Sequence, residues 1–156
     1  MADELAEATP ESKVGLLSAL GNAGQPQFEQ SIADELSAPE VNVRARAAYA
    51  LRHIHTATAK SALLKAIASD AQPVLRMALT TLKAFDIGPA DVEQLSKAVT
   101  TGQIGAATGD LVVDLLAKTV GGVPEKRAAL LAILQADDVL RGTKARARVI
   151  LSELTD

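Results

Sequence analysis

The sequence predicts an all-α protein: a right-handed α-α superhelix of stacked helix pairs, about four and a half of them, forming one domain over residues 1–156. Three observations predict it. Apolar or small residues recur at helical spacing along almost the whole chain, with no sustained run of alternating polarity. The pattern repeats: Leu20, Leu51 and Leu82 fall 31 residues apart, as do Leu16, Ala47 and Ala78, and Leu116 and Leu151 follow after 34 and 35. Finally, the chain is 48% hydrophobic but only 2% aromatic, so its core is built from Ala, Leu, Val and Ile, which fill space only between closely approaching helices.

The expected helices run in order as follows. Residues 13–21 form the first, stopped by Gly21, with a turn through Gly24 to Pro26 that launches the next over 26–37. Residues 3–8, within "ADELAEA", pair with the first helix if they fold over it; otherwise the chain begins in mid-superhelix. Pro39 precedes a helix over 41–55, whose core arc is Val43, Ala47, Ala50, Leu51 and Ile54. A helix over 58–69 leads to Pro73, which starts one over 73–85 with the arc Val74, Ala78, Thr81, Leu82 and Phe85. Pro89 starts 89–100, and Gly102 lies at its end. The segment 105–120 carries Gly105 and Gly109 in its first turns, so a start nearer Thr108 or Asp110 competes. Gly121 and Gly122 separate it from 124–136, started by Pro124, and 139–154 closes the series. No proline falls mid-helix, where its missing N–H and ring would cost a hydrogen bond and a clash.

Composition excludes several classes of function. Without cysteine there is no disulfide, thiolate metal site or Cys nucleophile. The acidic start "MADELAEATP" is unlike a signal peptide, and no stretch is apolar for the length a spanning helix needs. If Met1 is the natural start, a cytoplasmic location is expected. The net charge of −3 is unevenly spread: −7 over residues 1–40, +6 over 41–83, −4 over 84–140 and +2 over 141–156.

The stretch "PEVNVRARAAYALRHI" carries Val43, Arg44, Ala47 and Leu51 at the spacing of the second helix of a HEAT repeat, and the chain resembles that family. The resemblance implies a HEAT-like solenoid in which the Arg joins an Asp of a neighbouring turn in a bracing ladder. Glu40 stands near the usual Asp position. The next copy keeps Asp70, Val74, Ala78 and Leu82 but has Leu75 at the Arg position and Arg76 one residue later. More narrowly, "LLSALGNAG" and "VRARAAYALRHI" resemble the helical region of the vitellogenin and microsomal triglyceride transfer group. That likeness carries over the architecture and leaves lipid as a possible but less favoured ligand.

Beside the core arcs, Arg44, Arg52 and His55 flank the helix 41–55, and Arg76 and Lys83 flank 73–85. Lys13 falls 31 residues before Arg44, and Arg141, Lys144 and Arg148 flank the last helix. The resemblance places second helices on the concave surface, so this stripe is a candidate site for carboxylates or phosphates. The competing reading is a set of solvated faces and inter-repeat ion pairs with acids such as Asp70 and Glu40.

Other clusters carry less. His53 and His55 are two apart on a helix and diverge too far to chelate one metal. Asp137 and Asp138 end one helix and help start the next. Asp110 and Asp114 form a carboxylate pair without a neighbouring base, most simply a solvated face. The Gly102, Gly105 and Gly109 cluster lacks the Gly-Lys-Ser/Thr and preceding strand of a phosphate loop, and reads as a mobile junction able to act as a hinge. Phe28 and Tyr49 are expected between helices, Tyr49 off the core arc and partly exposed.

The expected function is a non-catalytic interaction scaffold, not an enzyme, with no cofactor and no metal. It binds a protein with an acidic surface through Arg44, Arg52, His55, Arg76 and Lys83. Nucleic acid is not expected, since the chain is acidic overall and poor in aromatics for stacking. The alternative is a lipid-handling or bracing module.

Overall fold

The computed structural model describes residues 2–68, 71–100, 105–119 and 121–154; Asp70 and Gly102 lie outside them. All regular structure among the described residues is helical: α1 (Ala2–Glu7), α2 (Pro10–Ala23), α3 (Glu29–Asp34), α4 (Val41–Ala50), α5 (Ala57–Ala66), α6 (Gln72–Leu82), α7 (Pro89–Thr100), α8 (Ala106–Lys118), α9 (Val123–Gln135) and α10 (Arg141–Glu153). Short 3₁₀ turns lie on both sides of α3 and follow α4 at Leu51–His53. They tighten the helix ends and satisfy carbonyls that an α-turn would leave open. The chain divides into two compact units, Met1–Phe85 and Asp86–Asp156.

The first unit has two layers. Helices α2, α4 and α6 form one row, each packed along the next, and α1, α3 and α5 form the other. Residues 3–8 therefore do supply a partner: α1 packs on α2 and α3, and Leu5 is buried. Between the layers lie Leu17, Leu20, Ile32, Val43, Leu51, Leu63, Val74, Leu79 and Leu82, all at or near zero exposure. Each such aliphatic side chain contributes roughly 1.5–3 kcal/mol on leaving water.

Helix α2 corrects the expected break. It begins at Pro10, where Thr9 accepts a hydrogen bond from the Ser12 N–H, and runs through Gly21 to Ala23. Its terminator is Gly24, left-handed at φ 60° with its N–H on the Leu20 carbonyl. Gly21 is instead a packing residue: a Cβ there would lie 2.6 Å from the Ala50 Cα, so α2 and α4 meet backbone to backbone. The buried face of α2 is Leu17, Leu20 and Gly21; Leu16 is half-buried and Ala19 exposed, so the face is rotated from the Leu16, Ala19, Leu20 arc that the repeat spacing suggests.

In the second unit α7 packs along α9, α8 along α10, and α9 touches both α8 and α10. Its core is Val92, Leu95, Val112, Val113, Leu116, Ala129, Leu130, Ile133 and Ala147. Helix α8 starts early, with the Thr108 hydroxyl accepting a hydrogen bond from the Gly105 N–H at 3.1 Å. Gly109 lies inside the helix rather than at a hinge: a Cβ there would meet Thr143 at 3.3 Å and Val139 at 3.4 Å. Asp137 and Asp138 are both exposed in the connection, and neither caps α10.

Candidate functional site

The structure sorts the five expected site residues into different roles. Arg44, at the start of α4, is half-buried and donates from one Nη to the Ala38 and Pro39 carbonyls, both at 2.7 Å. Those bonds tie Arg44 to the turn that precedes α4. It makes no ladder with the Glu40 carboxylate.

Arg52 and His55 come together beyond the end of α4. The Arg52 Nη1 donates to the Tyr49 carbonyl at 3.1 Å, its Nη2 donates to Asn22 Oδ1 at the end of α2, and its guanidinium lies 4.2 Å from the centre of the Tyr49 ring. A cation over an aromatic face is attracted by the ring quadrupole, and here the stack also fixes the plane of the fork. His55 is exposed, its Nε2 2.8 Å from the Arg52 carbonyl oxygen and its ring edge-on to Phe85 at 5.3 Å between centres. His53 is exposed and packs over Gly24, whose added Cβ would sit 3.0 Å from its own. The ends of α2, α4 and α6 therefore meet along one edge, and positive side chains there also face the negative ends of the helix dipoles.

Arg76 is exposed on α6, and Lys83 is half-exposed just past its end, two residues before Phe85. Between Val41 and Phe85 the sequence carries seven Lys and Arg and one acid, Asp70. Spacing marks Tyr49 only as a partly exposed residue off the core arc, and does not mark Arg46 or Asn22. Arg46 and Tyr49 are half-exposed on the outer side of α4, and Asn22 is the neutral acceptor that positions Arg52. The signal for Asn22 lay in the period, since it precedes Arg52 by 30 residues.

Several cations elsewhere are consumed by the fold. Lys13, in register with Arg44, bonds to the buried Glu35 at 2.6 Å instead of joining a stripe. Asp110 and Asp114 do not form a merely solvated face: Asp110 accepts from the Thr143 hydroxyl at 2.6 Å and lies 3.5 Å from Arg146, and Asp114 accepts from Arg146. The hydrogen bond that Arg146 donates to Asp114 holds its guanidinium above the usual range, so that cation stays charged. Lys126 is buried and donates to the Thr119 carbonyl, and desolvation pushes its ammonium below the ordinary lysine range. Arg141 and Arg148 are exposed on α10, and Lys144 is half-exposed.

A groove of about 530 Å³ separates α3 from α5, lined by Leu36, Ala62 and Ala66 together with Ser37, Thr58, Ser61 and Lys65. Its lining is mixed, with hydroxyls and one ammonium among small apolar groups. No group of metal-ligating side chains occurs among the described residues, and none of their helices is long and apolar enough to cross a membrane. No protein-family model matches the chain, and neither does any curated protein.

Proposed function

We propose that the chain is a non-catalytic, HEAT-like helical-repeat scaffold that binds a protein partner with an acidic surface on the outer side of α4 and α6. The observation that carries this reading is the charge of that region: seven Lys and Arg against the single acid Asp70 from Val41 to Phe85, in a chain of net charge −3. Such a concentration of one sign steers an oppositely charged surface and raises its rate of encounter. Arg52, Arg76 and Lys83 carry the binding, with His55 beside them; Arg44, committed to carbonyls, takes no part.

The repeat reading has its own support. Polar links join neighbouring helix pairs at about one period: Asn22 to Arg52, Glu29 to Thr56, Asp110 to Thr143 and Asp114 to Arg146, at sequence separations of 30, 27, 33 and 32. In the first unit the α2–α4–α6 row is drawn tight at Gly21 and Ala50, while α3 and α5 leave a groove between them.

Reversing two charges tests the function. Capture of a partner from the source cell with the wild-type chain and with R52E/K83E is expected to lose it in the variant. Arg52 links Asn22 to Tyr49, so the melting temperature of the variant is measured beside that of the wild type and capture is compared where both chains are folded. Equal capture by both chains overturns the basic-face reading.

A further inference from the structure

The cations of this fold differ in what holds them. Lys13 and Arg146 are neutralised by carboxylates, and Arg44 and Lys126 are tied to backbone carbonyls. Arg52 is held equally firmly, but by neutral groups only: the Tyr49 carbonyl, the Tyr49 ring and the Asn22 amide oxygen. Its charge is therefore uncompensated. Of the five N–H donors of a guanidinium, two are used and three remain for a ligand.

A surface arginine ordinarily loses rotamer freedom when it binds, and that loss weakens the contact. Arg52 has lost it already on folding. Arginine is among the residue types enriched where one side chain dominates an interface, and this one is a fixed, charged fork at a half-exposed site beside an exposed His55. Arg76, exposed and with no side-chain hydrogen bond or ion pair among the described residues, has no such fixation and acts through distance-averaged charge.

Resting on the basic-face reading above, we infer that Arg52 is the anchor of that face and takes a carboxylate: an exposed Asp or Glu in an acidic segment of the partner. Asn22 and Tyr49 are positioning residues that hold the fork ready. The planar fork matches the two oxygens of a carboxylate, a match that a lysine of the same charge lacks.

The test is fluorescence anisotropy of a short labelled peptide of alternating Asp and Glu, titrated with the full chain, with the matching Asn and Gln peptide as control. R52K is expected to weaken binding about tenfold, nearly as much as R52A, because the fork and not the charge is what it removes. N22A, which leaves the net charge unchanged, should weaken it by roughly threefold, and R76A or K83A by only about twofold.

Wild-type affinity in R52K overturns the anchor while leaving the basic face standing. Wild-type affinity in R52E/K83E overturns the basic face itself. Failure of the acidic peptide to bind the wild-type chain, or tighter binding of a single-stranded oligonucleotide with the same dependence on Arg52, overturns the carboxylate assignment. Circular dichroism melts of N22A and R52K, both on exposed or half-exposed residues, separate these effects from misfolding.

Discussion

Two glycines of one helix make opposite demands. Gly15 of α2 is exposed, and a Cβ added there would meet nothing within 4 Å, whereas at Gly21 it would lie 2.6 Å from the Ala50 Cα. Alanine restores helix propensity at both sites by about 0.5–1 kcal/mol. At Gly21 the clash with backbone outweighs that gain, since overpacking a tight contact costs typically about 1–3 kcal/mol. G15A should therefore raise the urea midpoint and G21A lower it, measured side by side on otherwise identical chains. Equal shifts of the same sign would mean that propensity alone governs α2. The expectation that Gly21 ends the helix fails for the same reason: glycine serves both as a left-handed terminator and as a gap for a neighbouring helix, and the residue type alone does not distinguish the two.

At the scale of elements, α8 and α9 are joined through an unusual link. The buried Lys126 near the start of α9 donates to the Thr119 carbonyl, where α8 ends, and so satisfies a carbonyl the helix leaves open. Burial disfavours the charged amine and lowers its pKa relative to the unfolded chain. The unfolded state then binds more protons between the folded value and the ordinary lysine value near 10.4, so this residue makes stability rise with pH across that window. Thermal melts of the wild-type chain and K126M over alkaline pH should show that rising contribution in the wild type alone. Parallel curves would remove Lys126 as its source. The Asp110 and Asp114 links to α10 belong to the same level: their spacing along α8 places both on one face, but only the packing of α8 on α10 supplies Arg146 and Thr143.

At the scale of the whole molecule, charge layout decides behaviour that no single contact does. The +6 block over residues 41–83 follows a −7 block over 1–40, so the proposed binding face is positive while the protein is acidic. Screening lengths fall from roughly 30 Å at 0.01 M salt to about 8 Å at physiological ionic strength. Association with an acidic partner should therefore slow with added salt, with the loss concentrated in the on-rate and little change in the off-rate set by the Arg52 contact. Stopped-flow mixing at several ionic strengths measures this, and an on-rate indifferent to salt would deny the basic block its steering role.

The helical class, the position of most elements and the concentration of basic residues were legible in the sequence, because periodicity, proline placement and charge are local properties of the chain. The start at Pro89 and the helix over 124–136 appear in the structure within a residue or so, whereas the helix expected over 26–37 is the short α3 flanked by 3₁₀ turns. Contacts between elements decided the rest. Which face of α2 is buried depends on the rotation of one helix against another, and the approach of Ala50 sets it. Which cations remain available depends on the acceptors that folding brings near: Arg44 finds two carbonyls, Lys13 finds Glu35, and Arg52 finds only the neutral Asn22 and Tyr49. A sequence specifies that a cation is present. Whether its charge is spent on the fold is settled by the distance to the nearest acceptor, and that distance exists only once the helices have packed.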